Sequence, residues 1–253
     1  MRGLSDKVVV VTGGGGGIGT AICNRFAEEG AKVAVFDLDG AAAEKVVAGL
    51  EGDRCHVEAV DITDLTAVDE ALTRTEEALG LIDVLVNNAG WDRFSMFLDT
   101  DEELRNRVVD INLLGPINMH HSVLSRMASR NQGVVVTIAS DAGRVGSSGQ
   151  AVYSACKGGM IAFTKTMARE MMRHGILLNC VCPGPTDTPM LQAFQEEGEL
   201  GQKVYDGLKR AMPMRRLGEP EDIPGIVAFL ASDDAKFVTG QVISVSGGLT
   251  MAG

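Results

Sequence analysis

Residues 7–19 read Lys-Val-Val-Val-Val-Thr-Gly-Gly-Gly-Gly-Gly-Ile-Gly. Four consecutive valines suit a strand buried on both faces, because β-branched side chains pack on a pleated sheet and neither face asks for a polar residue. Beyond the glycines, Ile18, Ile22 and Phe26 recur four apart, on one face of a helix. A flexible linker is the other use of a glycine run, but this run is held between two elements that must pack. There, glycine lets the backbone approach a pyrophosphate while the helix N-terminus aims amide groups at it. Two registers are open: Gly14, Gly16 and Gly19 satisfy GxGxxG, whereas Thr12-Gly13 with Gly17, Ile18 and Gly19 satisfies TGxxxGxG.

The same strand-helix alternation continues outward. Runs at 7–12, 32–37, 56–61, 83–88, 134–140, 176–182 and 241–245 read as buried strands. Between them lie segments of helical spacing such as Leu65, Val68 and Leu72, and Ile161, Lys165 and Ala168. Alternation of this kind predicts an α/β fold, a doubly wound parallel sheet of about seven strands with right-handed crossovers and helices on both faces. With 253 residues and 45% hydrophobic content, a single domain over 1–253 is expected. Ligands of such sheets bind beyond the carboxyl ends of the strands, so the residues just after each strand are the ones to inspect.

Composition excludes several partners. The longest aliphatic run, Val8 to Val11, is far short of the ~20 residues of a membrane span. The first residues lead into the valine strand without an apolar signal region, so a cytoplasmic protein is expected. A net charge of −11 offers no broad positive surface to nucleic acid. Cys23, Cys55, Cys156, Cys180 and Cys182 form no CxxC pair and have no zinc-type His spacing, so no metal is expected. Cys180 and Cys182 share one face of a strand, as buried filler or as two ligands.

Asp37 closes the second strand, 18 residues beyond Gly19, where a carboxylate can accept from both ribose hydroxyls of an adenosine. It would repel a 2′-phosphate, and Leu38-Asp39-Gly40 supplies no Arg or Lys to welcome one. NAD is therefore expected over NADP; a turn or cap role is the alternative for Asp37. Asp61-Ile62, after the third strand, can meet the adenine edge or cap a helix.

Tyr153 and Lys157 stand four apart in 151–167, which reads as a helix, so they share a face. Tyrosine has a free pKa of about 10, too high for a base near neutrality. An ammonium about 5 Å away at an effective dielectric near 20 contributes about 3 kcal/mol, or roughly two pKa units. Tyr205 and Lys209 repeat the spacing, but only Tyr153 has a strand-end serine, Ser140, 13 residues before it; Gln192 holds that offset before Tyr205. Ser140 can bind the substrate oxygen beside Tyr153, and Asn112 can anchor a water linking Lys157 to solvent.

Taken in order, TGGGGGIG at 12–19, Asp61, NNAG at 87–90, Asn112, Ser140, YSACK at 153–157, PGPTDTPM at 183–190 and GQVISVSGG at 240–248 resemble the short-chain dehydrogenase/reductase family over nearly the whole chain. The resemblance implies a Rossmann-like subunit, a catalytic set of Asn112, Ser140, Tyr153 and Lys157, and a homotetramer. It implies cofactor contacts at Asn88, Ala89 and Gly90 and at Pro183, Gly184, Thr186 and Thr188, with Tyr153 and Lys157. NNAGWD at 87–92, the 140–159 segment and SVSGGLTMAG at 244–253 are similar to dehydrogenases of 2-hydroxycyclohexanecarboxyl-CoA, which implies a cyclic 2-hydroxyacyl-CoA substrate.

Residues 187–214, rich in Glu, Met and Phe, read as a mobile cover over the substrate. Lys203, Lys209, Arg210, Arg215 and Arg216 concentrate positive charge there, to meet the phosphates of coenzyme A or to serve the cover's own structure. Rival readings are a 3-oxoacyl carrier-protein reductase, against which Asp37 counts, a non-catalytic NAD-binding protein, and a Ser-Lys hydrolase that leaves the glycine turn without purpose.

Overall fold

The computed structural model describes residues 1–50, 54–196 and 198–252. Seven strands form one parallel sheet: β1 (Val8–Thr12), β2 (Lys32–Asp37), β3 (Cys55–Ala59), β4 (Ile82–Asn87), β5 (Gly133–Ile138), β6 (Ile176–Pro183) and β7 (Val242–Val245). Their order across the sheet is β3-β2-β1-β4-β5-β6-β7. The chain builds outward from β1 to β3, then returns to lay β4 against the other side of β1, which makes the β1/β4 boundary the switch point.

The valine run explains itself in the packing. Val9 and Val11 face one layer with Ile22 and Phe26 of α1 (Gly17–Glu28), and Val8 and Val10 face the other with Val68 and Leu72 of α3 (Leu65–Leu79). Between these helices in sequence lies α2 (Gly40–Gly49), whose Ala43 and Val46 join the first layer. Helices α4 (Glu102–Val109) and α5 (Gly115–Ser129) follow β4, and Met119, Val123 and Met127 of α5 complete the second layer. After β5 come the short α6 (Ala142–Val145) and the long α7 (Ala151–Met171). After β6 come α8 (Pro189–Gln192) and α9 (Gly198–Ala211), then α10 (Pro224–Ala231), which returns to the first layer.

Three expectations are corrected. The edge strands β3 and β7 are mostly half-buried, because an edge strand lacks a neighbour on one side. Leu65 opens α3 at 42% exposed, so the buried stripe begins at Val68. Lys165 points outward from α7, leaving Ala168 to the core.

The first turn of α1 packs against the glycine turn with no room for a side chain: a Cβ on Gly19 would lie 2.0 Å from the Gly13 carbonyl oxygen. Backbone cannot yield as a flexible side chain does. Gly19→Ala is expected to destabilise the fold by about 1–3 kcal/mol, whereas Gly207→Ala, in the interior of α9 with nothing within 4 Å, should stabilise by about 0.5–1 kcal/mol. Urea denaturation of the two variants checks both signs.

Candidate active site

A cleft of about 700 Å³ opens past the carboxyl ends of the strands at the switch point. Its back wall is a lacing between two turns. The Thr12 hydroxyl oxygen accepts from the amides of Asn88 and Ala89, each at 3.0 Å, and Asn88 Nδ2 donates to the carbonyls of Thr12 and Gly13 at 3.0 and 3.1 Å. Gly13 has φ 62°, and a Cβ there would meet Ala89 Cα at 2.8 Å. Of the two glycine registers, these contacts belong to TGxxxGxG.

Gly17, Ile18 and Gly19 bring the first turn of α1 into the cleft. Asp39, Asp64 and Asp101 cap α2, α3 and α4 with their side chains, but α1 starts at Gly16 with no side-chain cap and no acid in its first turn. Its leading amides are left for an anion, which is what a pyrophosphate requires. Pro183, Gly184, Thr186 and Thr188 form the facing wall, with Thr188 Cγ2 at 3.4 Å from where a Gly17 Cβ would stand.

Asp37 and Leu38 line the far end of the cleft. The Asp37 carboxylate is held by the Gly15 amide at 2.9 Å and the Asp39 amide at 3.0 Å, which fixes it and leaves lone pairs for further donors. Asp61 accepts from the amide and hydroxyl of Thr63, and Asp64 supplies the cap of α3, so capping is not the use of Asp61. Asp61, Ile62, Ala89 and Gly90 all border the cleft.

At the other end the fold gathers the proton-transfer candidates. Ser140 lies in the turn after β5, where its Oγ accepts from the Ala142 amide at 3.1 Å, and its side chain borders the cleft together with Tyr153. Lys157, one turn along α7, is 3% exposed, with Nζ 5.5 Å from the Tyr153 ring centroid and donating to the Ile138 carbonyl at 3.2 Å. Burial pulls Lys157 down to about 8, so the ammonium still prevails at neutrality. Burial pushes the Tyr153 hydroxyl above its ordinary value, the carboxyl of Asp92 adds to this, and the neighbouring Ser140 side chain opposes it. The lowering expected from Lys157 therefore does not emerge among the protein's own groups, because desolvating the phenolate costs more than the nearby cation returns.

Asn112 is fully buried in the wide turn Asp110–Leu114 that joins α4 to α5. Its Nδ2 donates to the carbonyls of Trp91 and Val108 at 2.6 and 2.8 Å, and its Oδ1 accepts from the Trp91 amide at 3.2 Å. Both donors being taken, a water held by this side chain would have to donate to its oxygen. Asn112 sits behind Gly90 rather than on the cleft surface: a Gly90 Cβ would lie 3.0 Å from Asn112 Oδ1 and 3.2 Å from Lys157 Nζ.

The second tyrosine-lysine pair is elsewhere. Tyr205 packs with Leu208 against Phe94, Leu191, Phe194 and Leu217, which is what holds the 187–214 segment down; residue 197 lies outside the described residues. The basic cluster needs correction. Arg216 is committed to Asp222, at 2.6 and 2.8 Å, and Lys203 stands 3.8 Å from Glu199, which leaves Lys209, Arg210 and Arg215. Cys180 and Cys182 are fully buried in β6 with thiols pushed up to about 11 and about 12 by burial; among the described residues no three His, Cys, Asp or Glu gather as a metal site. No described helix is long and apolar enough to cross a membrane.

Several groups at the cleft escaped the sequence reading. Arg107 lies 3.9 Å over the Trp91 ring, and Leu249 and Thr250 fold back onto the cleft from the end of the chain. Gln150, three residues before Tyr153, also borders it and donates to buried Asp92 at 2.8 Å. Its nearness in sequence to Tyr153 was a usable signal; nothing local marks Asp92 as its partner.

The family model adh_short_C2, described as enoyl-(acyl carrier protein) reductase, matches residues 13–250. Acetoacetyl-CoA reductase of Shinella zoogloeoides is 41% identical over 96% of this chain and 98% of its own length. The (2S)-[(R)-hydroxy(phenyl)methyl]succinyl-CoA dehydrogenase subunit BbsD of Thauera aromatica is 38% identical over 98% of each chain. Among solved structures, levodione reductase superposes with a TM-score of 0.90, at 34% identity over 96% of this chain and 97% of that one. By motif, cleft and likeness the chain belongs to the short-chain dehydrogenase/reductase family, as an oxidoreductase of alcohol and ketone groups served by NAD or NADP.

Proposed function

We propose that this chain interconverts a secondary alcohol and a ketone with NAD as its cofactor, Tyr153 transferring the proton. The observation that carries the reading is the Ser140–Tyr153 hydroxyl pair opening on the cleft with the Lys157 ammonium buried behind it. Ser140 holds the substrate oxygen, Tyr153 takes its proton or gives one back, and Lys157 keeps positive charge beside the ring. When bound, the nicotinamide supplies the hydride acceptor or donor and, oxidised, a positive charge that favours the tyrosinate. Asn112 acts by fixing the Trp91 turn next to Lys157. Because oxidation needs the tyrosinate and reduction the phenol, oxidation should rise with pH and reduction should fall.

NAD is supported by the fixed carboxylate of Asp37 and by the lack of any Arg or Lys in the glycine turn or at 38–40. The substrate in this reading is a cyclic 2-hydroxyacyl-CoA, with 187–214 as its cover; relatives named for coenzyme A thioesters support it. A 3-oxoacyl carrier-protein reductase is the second reading, favoured by a Thermotoga maritima relative of that name at 36% identity. A cytoplasmic homotetramer accompanies either.

NAD should be preferred to NADP by at least about tenfold in kcat/KM, since a 2′-phosphate beside Asp37 costs upward of 1.4 kcal/mol; Asp37→Ala should narrow the gap, and equal use of both cofactors by the unaltered enzyme refutes it. Tyr153→Phe is expected to abolish turnover while retaining NADH binding by fluorescence, and Tyr205→Phe to keep its chemistry; equal losses would remove Tyr153 from its role. Lys209→Glu should raise KM for the thioester more than for a small neutral alcohol, and less so as salt rises.

A further inference from the structure

Asp92 follows the turn after β4 and is 9% exposed, an unusual place for a carboxylate. Its Oδ2 accepts from Gln150 Nε2 at 2.8 Å. A second bond joins the same two loops, from the Ser95 amide to the Gly149 carbonyl at 3.0 Å. Phe94, between these bonds, makes a tilted ring contact at 5.4 Å with Phe194 of the 187–214 segment, so the clasp also anchors that cover. Gln150 is the residue that leads into α7, three before Tyr153, and both border the cleft with Ser140.

A carboxylate only accepts, so it decides which end of the carboxamide faces it: the nitrogen. One N–H of Gln150 is thereby spent on Asp92. The other N–H has no protein acceptor among the described residues, although the side chain borders the space where a substrate held by Ser140 and Tyr153 must extend. We infer that Asp92 is a positioning residue that turns Gln150 so that its free amide N–H binds the acyl carbonyl oxygen of a 3-hydroxyacyl substrate whose carbinol lies between Ser140 and Tyr153. In a 2-hydroxycyclohexane carboxyl group the two oxygens stand in this 1,3 relation. The inference rests on the acyl-substrate reading for the identity of that second oxygen, but coenzyme A itself has no part in it.

The test uses the purified full-length enzyme with NAD and two probes, ethyl 2-hydroxycyclohexanecarboxylate and cyclohexanol, and reads the ratio of their kcat/KM values. Gln150→Leu should lower that ratio about tenfold, the worth of one hydrogen bond, mostly through KM of the ester. Asp92→Ala should lower it comparably, Asp92→Asn should restore it because the amide oxygen still accepts from Gln150, and Asp92→Ala with Gln150→Leu should be no worse than Gln150→Leu alone. Should Asp92→Ala not fold, Asp92→Asn and Gln150→Leu decide the matter by themselves. The inference is overturned if the unaltered enzyme shows no preference for the ester, if Gln150→Leu shifts both probes alike, or if Asp92→Asn loses the ratio that Gln150→Leu loses. The coenzyme A reading is judged separately, by whether the unaltered enzyme prefers the thioester to the ethyl ester.

Discussion

Where strand order reverses, β1 and β4 run side by side and each must end in a turn that leaves the sheet. The two turns compete for the same space, and only backbone fits: Gly13 abuts Ala89, and the Thr12 hydroxyl takes up two amides that the end of β4 would otherwise leave unpaired. Everything functional is referred to this junction. It sets the start of α1 on one side and, through Gly90 and Trp91, the positions of Asn112 and Lys157 on the other. On the proposed reading, the start of α1 would hold a cofactor's pyrophosphate on one side of this junction, and Ser140 and Tyr153 would meet the substrate on the other.

The electrostatics of that second end follow from dryness. Tyr153, Lys157 and Asp92 are each displaced from ordinary titration by burial first; Asp92 comes next for Tyr153, the nearby cysteines for Lys157 and the Gln150 hydrogen bond for Asp92. Burial moves all three toward neutrality, the acids upward and the amine downward. At neutrality the site keeps the Lys157 cation and the Asp92 anion in a dry setting, where charge that enters acts strongly. Asp92, pushed up to about 6, remains ionised above that pH and keeps its grip on Gln150 as an acceptor.

What the amino-acid order disclosed and what it hid divide along a physical line. The valine run, the glycine turn and the four-residue step from Tyr153 to Lys157 are local patterns whose periods follow from backbone geometry. Rejecting Tyr205 needed only the missing strand-end serine, and its place under Phe94 and Phe194 accords with that. By contrast, Asp92 and Gln150 are 58 residues apart on two loops, and no period links them. The half-burial of β3 and β7 depends on their being outermost, which is a property of strand order. Arg216 looked available because the partner that claims it, Asp222, belongs to a turn with no pattern of its own.

The bare start of α1 has a thermodynamic corollary. Three helices close their first turns with an aspartate, whereas α1, like α5, α7 and α10, has no side-chain cap; of these, the first turn of α1 lies in the cleft at the glycine turn, where on the proposed reading an anion would complete it. A ligand bound there would stabilise the folded state, by an amount that grows as the logarithm of its concentration once the dissociation constant is exceeded. On that reading the cellular pool of dinucleotide would set lifetime as well as rate: its depletion would leave the N-terminal half of the sheet less firmly closed and more open to proteolysis.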